Sequence, residues 1–286
     1  MASTSFEIYR RQTSNVMFYL AVGCAGLIIT ILGWVTIYLA GKGLGSVSWK
    51  FFTEPPTGVV EDPGGMSHAI VGTGILVGLA AIVGVPIGML AGIYLSEYKS
   101  ERWLVTPVRF VADVLTGVPS IVVGILGYEL LVVPMGGYSG WAGALALAFI
   151  IIPIVARTTE EMLRLIPKSY REGSLALGAT KSQTILRVVL PAATGSLVTG
   201  VMLALARVAG ETAPLLFTAL GSSRMVTNPS EPFPSLTAQI YTYATGPYAE
   251  QKNLAWAGIL VLIFMLFLLN LAIRYFAGRT MRGVAR

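Results

Sequence analysis

Arg207 and Glu211 stand four residues apart inside an otherwise uncharged apolar run, Ala-Leu-Ala-Arg207-Val-Ala-Gly-Glu211-Thr-Ala-Pro. Each ionised side chain at bilayer mid-depth costs about 2.5–3.5 kcal/mol on insertion scales, so such residues usually face a bundle interior and are often functional. On a continuous helix the four-residue spacing places both on one face. Two readings of the pair stay open. It can be a self-neutralising ion pair that stitches helices together, or it can mark an anion path. In the second reading the guanidinium matches an oxyanion with paired hydrogen bonds and keeps its charge at any physiological pH. Glu211 then holds Arg207 and weakens its grip, because a site that binds too tightly does not release. Gly210, Thr212 and Pro214 add a point of close approach, a hydroxyl and a kink.

A second polar element lies between two long apolar blocks, the segment Glu172-Gly-Ser-Leu-Ala-Leu-Gly178-Ala-Thr-Lys-Ser-Gln-Thr-Ile-Leu-Arg-Val-Val-Leu-Pro191. Its residues mostly form helices, and Gly178 can split it into two short pieces. It lacks the composition of a disordered linker. Arg171, Lys181 and Arg187 make it basic, and it reads as a docking element.

Other chemistry is absent from the sequence. There is no Gly-x-x-x-x-Gly-Lys-Ser/Thr motif, so ATP has no ordinary phosphate loop here. His68, the only histidine, has no ligand-spaced neighbours and makes no metal site. No nucleophile–base pair falls within the apolar runs, which predicts a non-catalytic chain that binds no cofactor of its own. Asp113 and Glu129 read as interfacial charges near the ends of one run.

These residues must be positioned by membrane helices. The 286-residue chain is 55% hydrophobic and 12% charged, with mean hydropathy +0.73; soluble domains carry about 25% charged residues. The class is an all-α integral membrane protein. A polar segment over 1–15 precedes six predicted spans at about 16–40, 69–95, 111–133, 141–156, 194–220 and 254–276, with the polar insert at 157–193 and a tail at 277–286. Arg207 falls near the middle of the fifth span. Pro86 interrupts the second, whose glycines suit close helix packing; Gly117 and Pro119 break the third.

The positive-inside rule orients the spans. With the N-terminus inside, the cytoplasmic side holds Arg10, Arg11, Lys99, Arg102, Arg109, Arg157, Arg164, Lys168, Arg171, Lys181, Arg187, Arg274, Arg279, Arg282 and Arg286. The outer loops hold only Lys42, Lys50, Arg224 and Lys252, beside the acids Glu54, Glu61 and Asp62. Both termini and the 172–191 segment are therefore predicted to be cytoplasmic. The lone Cys24 leaves no possible internal disulfide.

The docking segment also resembles a family signature. Glu172, then Gly178, nine residues, Val188, a spacer and Leu190-Pro191 are similar to the pattern of binding-protein-dependent ABC importer permeases. Gly173-Ser174 stand where two alanines are usual, and Val188 where isoleucine is. The resemblance implies a type I ABC importer permease fold whose cytoplasmic coupling helices, here including Glu172, Gly173, Ser174, Gly178, Ala179, Leu190 and Pro191, fit a groove on an ATPase subunit.

The block around Arg207 and Glu211, with Gly64-Gly65-Met-Ser-His-Ala-Ile-Val-Gly-Thr73 and the run from Pro86 to Tyr98, more narrowly resembles the phosphate-importing permeases. That implies a role for Arg207, Glu211 and Thr212 in phosphate passage. It also implies a homologous second permease, an ATPase dimer carrying ATP and Mg, an extracytoplasmic phosphate-binding protein, and a bacterial inner membrane. A permease for another oxyanion, or the sister permease of the same complex, is the nearest alternative. A proton-coupled secondary transporter with Glu211 as carrier belongs to a different class; it predicts an internal repeat and leaves the docking segment without a role.

Overall fold

Helix propensity and long apolar runs leave the backbone one way to satisfy its hydrogen bonds in lipid, which is to coil. The computed structural model describes residues 2–59, 63–98 and 102–284. Glu61, Asp62, Lys99 and Arg286, named above, lie outside the described residues. The elements are α1 (Ala2–Gly43), α2 (Trp49–Thr53), α3 (Ser67–Glu97), α4 (Arg102–Gly117), α5 (Ser120–Met135), α6 (Gly140–Arg164), α7 (Lys168–Ala176), α8 (Lys181–Ala209), α9 (Ala213–Thr218), α10 (Leu236–Thr245) and α11 (Ala249–Val284). Five helices are long and apolar enough to cross a membrane, or six if the bent pair Trp103–Gly117 and Ser120–Met135 counts as one span.

The third apolar run differs most from its expected form. It is not one span over 111–133, because α4 and α5 meet at 103° across Val118-Pro119. Pro119 disfavours helix at the residue before it and cannot donate to the preceding turn. Pro86 and Pro153 behave otherwise and sit inside unbroken α3 and α6, as proline in a packed membrane helix often does. The fourth run extends as helix well past 156, to Arg164. The fifth helix starts early, at Lys181, and stops at Ala209 rather than 220.

Small residues set the central packing. Gly84, Gly88 and Gly92 repeat every four residues on α3 and face α6. A Cβ on Gly88 would stand 2.8 Å from the Ile152 carbonyl oxygen, and one on Gly92 2.5 Å from that of Ala156. The two backbones touch along this seam, where small-residue spacing permits close approach. Leu76, Ala80, Leu147, Ile151 and Val155 form the buried core beside it, joined by Ala204 and Val208 of α8.

α1 stands apart. None of the residues in its most apolar stretch is buried. Its last turn meets α11, where Tyr38 packs edge-on against Trp256 and Gly43 lies against the Trp256 backbone.

Candidate functional site

Gly210 and Pro214 together stop α8. Proline at 214 has no N–H and its ring would clash with the carbonyl four residues back; the helix ends at Ala209 and restarts as α9. Arg207 is therefore in the last turn of α8, and Glu211 lies beyond the helix, in the link to α9. This corrects the expectation of a mid-span pair on one helical face. Among the described residues no ion pair joins Arg207 to Glu211, whose backbone is instead fixed by the Thr237 hydroxyl, donating to the Glu211 carbonyl at 2.9 Å.

The two charged residues nevertheless meet one space. A cavity of about 200 Å³ is lined by residues 115–120 at the α4–α5 break, by Phe149, Ile150 and Ile154 of α6, and by Arg207 and Glu211. Two helix breaks thus face each other across it. Irregular backbone at membrane depth is tolerated only where it is buried or lines a polar cavity. Arg207 is exposed within this chain and free to pair with an anion. Thr212 does not line the cavity; its carbonyl accepts the Leu215 and Leu216 N–H groups at 3.1 Å and starts α9.

The 172–191 segment folds as a tight helix–turn–helix. Pro167 ends the preceding helix and α7 follows. Gly178 takes φ +83, a left-handed conformation open to glycine. The Ala179 N–H donates to the Ser174 carbonyl at 3.2 Å and the Gly178 N–H to that of Leu175 at 3.0 Å, closing a Schellman cap. Thr180 and Gln183 then form a capping box that opens α8. The Ser174 and Thr184 hydroxyls meet at 3.0 Å across the turn.

Glu172 and Gly173 are exposed on α7, and Leu177 at the tip is 90% exposed. Leu190 and Pro191 are placed differently, away from this tip. Leu190 packs against the Leu163–Val189–Leu197 core. Pro191 follows a π turn, Ile185–Val189, that absorbs its missing N–H.

Two ion-pair clusters brace this end of the molecule. Arg171 donates to Glu97 at 2.7 Å and also to the Leu163 and Ile166 carbonyls at 2.9 and 2.8 Å. Glu160, with no exposed side-chain surface, accepts from Arg109, Arg157 and Arg164. Arg157 also pairs with Asp113 at 3.5 Å and Glu161 at 3.1 Å. Lys181 lies 3.6 Å over the Tyr98 ring. Sequence reading missed the Glu160 cluster. Its local signal was the Arg157-x-x-Glu160-x-x-x-Arg164 spacing, which puts all three on one helical face. His68 is buried in the first turn of α3.

The family profile described as "binding-protein-dependent transport system inner membrane component" matches residues 84–282, more than half of the chain. The chain belongs to this family. As a member of the binding-protein-dependent inner membrane components it is a multi-pass permease subunit, of the kind that works with an ATPase and a substrate-binding protein. Among its relatives, a protein named phosphate transport system permease protein PstA from Yersinia pestis is 42% identical, over 94% of this chain and 91% of that one. Its namesake from Haemophilus influenzae is 40% identical, covering 95% and 96%. A probable phosphate transport system permease protein PstA from Methanocaldococcus jannaschii is 38% identical, covering 93% and 94%. The fold is similar to a chain of the MetNI methionine ABC transporter in an inward-facing conformation. That match has a TM-score of 0.60 at 20% identity, over 74% of this chain and 93% of that one. The fold is therefore that of a type I ABC importer permease.

Proposed function

We infer that this chain is the permease subunit of an ATP-driven phosphate importer, contributing half of the translocation path. The observation that carries the reading is Arg207, a permanently charged guanidinium at the end of α8 with no carboxylate partner among the described residues, facing a cavity between two helix breaks. The relatives' names give the oxyanion, and the chemistry of the site suits it. A guanidinium binds phosphate oxygens through paired hydrogen bonds. Glu211, on the same cavity, opposes the anion and shortens its stay.

The homologous second permease supplies the other half of the path. The extracytoplasmic phosphate-binding protein delivers phosphate to the outer face. Both termini and the turn at Gly178 face the cytoplasm, in line with the basic residues around that turn. There Leu177 and the exposed face of α7 meet the ATPase dimer, which holds ATP and Mg and carries out hydrolysis. This chain binds no cofactor in that scheme.

The test is uptake into vesicles holding the chain, its partner subunits, the binding protein and trapped ATP, with sulfate as control anion. Phosphate uptake that requires both ATP and the binding protein, and is lost in Arg207→Ala while assembly persists, is the expected result. Normal uptake by Arg207→Ala removes the anion path. Uptake that ignores ATP and follows the proton gradient overturns the importer reading.

A further inference from the structure

The cavity wall at 115–120 is the junction of α4 and α5, so its position depends on what holds α4. That helix has few apolar anchors. Among the described residues of α4 only Val105 and Ala112 are buried, while Trp103, Phe110 and Val111 turn outward. Its main packing partner is α6. Two ion pairs cross between them: a longer one from Arg157 of α6 to the half-exposed Asp113 of α4 at 3.5 Å, and a tighter one that engages a buried carboxylate. Arg109 of α4 donates through Nε at 2.9 Å and Nη2 at 2.6 Å to Oε1 of Glu160 on α6.

Glu160 is built for that task. Its carboxylate is wholly buried, and a buried carboxylate without partners is very costly. Arg157 and Arg164, one turn to either side on α6, satisfy the carboxylate from its own helix. Asp113 and Glu161 in turn balance Arg157. The carboxylate is thus secured on α6, and Arg109 is the group through which it reaches α4. Arg109 lies six residues before Leu115, where the cavity wall begins, with unbroken helix between.

We propose that Glu160, acting through Arg109, is a positioning residue for the cavity: it fixes α4 on α6 and so sets where the 115–120 wall stands relative to Arg207. The inference rests on the reading of that cavity as the phosphate path. Its consequence is that severing the Arg109 contact moves the wall without removing any group that touches phosphate.

The informative change is on the arginine side. Glu160→Ala would leave three guanidiniums facing an empty site, whereas Arg109→Met leaves Glu160 paired with Arg157 and Arg164. The experiment uses the complete importer with Cys24→Ser, which removes the chain's one cysteine, and Ser120→Cys as a reporter in the cavity wall. The rate of its reaction with a methanethiosulfonate reagent is compared with and without Arg109→Met. Met225→Cys, in the exposed loop after α9, serves as control.

The expected result is a change of roughly tenfold at Ser120→Cys, as follows from losing one charge-assisted contact, with no change at the control. Phosphate KM shifts with it, and Arg109→Lys restores part of both. Should Arg109→Met fail to assemble, Arg109→Gln is read in the same way. Reactivity and KM within about twofold of the parent, a difference too small for a lost contact, overturn the proposal. The two readings fail separately. A reactivity shift with normal uptake in Arg207→Ala removes the phosphate path and leaves the positioning role. Loss of uptake in Arg207→Ala with no reactivity shift removes the positioning role alone.

Discussion

Arg171 on α7 and Glu97 at the end of α3, 74 residues apart in sequence, are joined by a guanidinium–carboxylate contact at 2.7 Å, and the same guanidinium donates to the Leu163 carbonyl in the last turn of α6 and to that of Ile166 just beyond it. One side chain therefore ties the exposed helix–turn–helix to the two helices whose glycine seam forms the molecular centre. Arg171→Leu leaves Glu97, whose side chain is 8% exposed, without its partner. The expected cost is about 3 kcal/mol, the scale for breaking a mostly buried pair. Thermal denaturation of the purified complex measures it, and Glu97→Gln, which keeps an acceptor, should cost less.

Gly178→Val should weaken the turn by about 1–2 kcal/mol, because φ +83 is a left-handed conformation that a β-branched residue resists. There is open space around the position, so the cost is conformational rather than steric. Reduced copurification of the ATPase with otherwise normal membrane insertion is the expected readout.

Gly173→Ala should do the opposite. The glycine is inside α7, helical and exposed, and a Cβ there would meet nothing within 4 Å. Helix propensity alone then favours alanine by about 0.5–1 kcal/mol. A rise in melting temperature of the complex checks it; a fall would mean the glycine is held by contact with another chain.

Gly92→Val should be strongly damaging to the bundle. Its Cβ would sit 2.5 Å from the Ala156 carbonyl oxygen and the same distance from the Thr159 Cβ, with backbone on one side and a β-branched residue on the other. Overpacking of this kind costs about 1–3 kcal/mol or more. Gly78→Val on the same helix, with open space around it, is the control and should express normally.

Glu211→Gln tests how the cavity releases its anion. Removing the charge leaves Arg207 unopposed on the shared cavity. Maximal uptake should fall by roughly threefold or more while KM falls or stays constant, the pattern of a site that holds too long. A rise in KM with unchanged maximal rate would show that Glu211 assists binding instead.

Much of the site was legible in residue types and spacing, and what was not has physical causes. Gly178 announced the break between two short helices, whereas the left-handed form of that turn and the Thr180–Gln183 capping box after it were not read from the sequence. The charges Arg207 and Glu211 were conspicuous in an apolar run, and they do share a cavity. Their relative placement was misjudged because four-residue spacing implies one face only while the helix continues, and Gly210 with Pro214 ends it. The apolar run of α6 stops at Ala156, short of the roughly 20 residues a span needs, which pointed to a helix running on into the charged segment, and it does so to Arg164. Those charges tolerate helix because they neutralise one another around Glu160. Its most consequential partner, Arg109, lies 51 residues away, a separation no local pattern reports. Leu190 and Pro191, adjacent to the docking segment in sequence, belong by packing to the membrane helix that follows.

The isolation of α1 has a consequence for how the protein comes apart. Among the described residues, none of α1 belongs to any of the three apolar cores, so the helix is a modular appendage, joined to the remainder where Tyr38 and Gly43 meet Trp256 of α11. Its heading depends on that pivot and on whatever surrounds it rather than on the folded body. A chain starting after Gly43 would keep every core residue, so the bulk of the protein completes its packing without waiting for this helix to find its final direction.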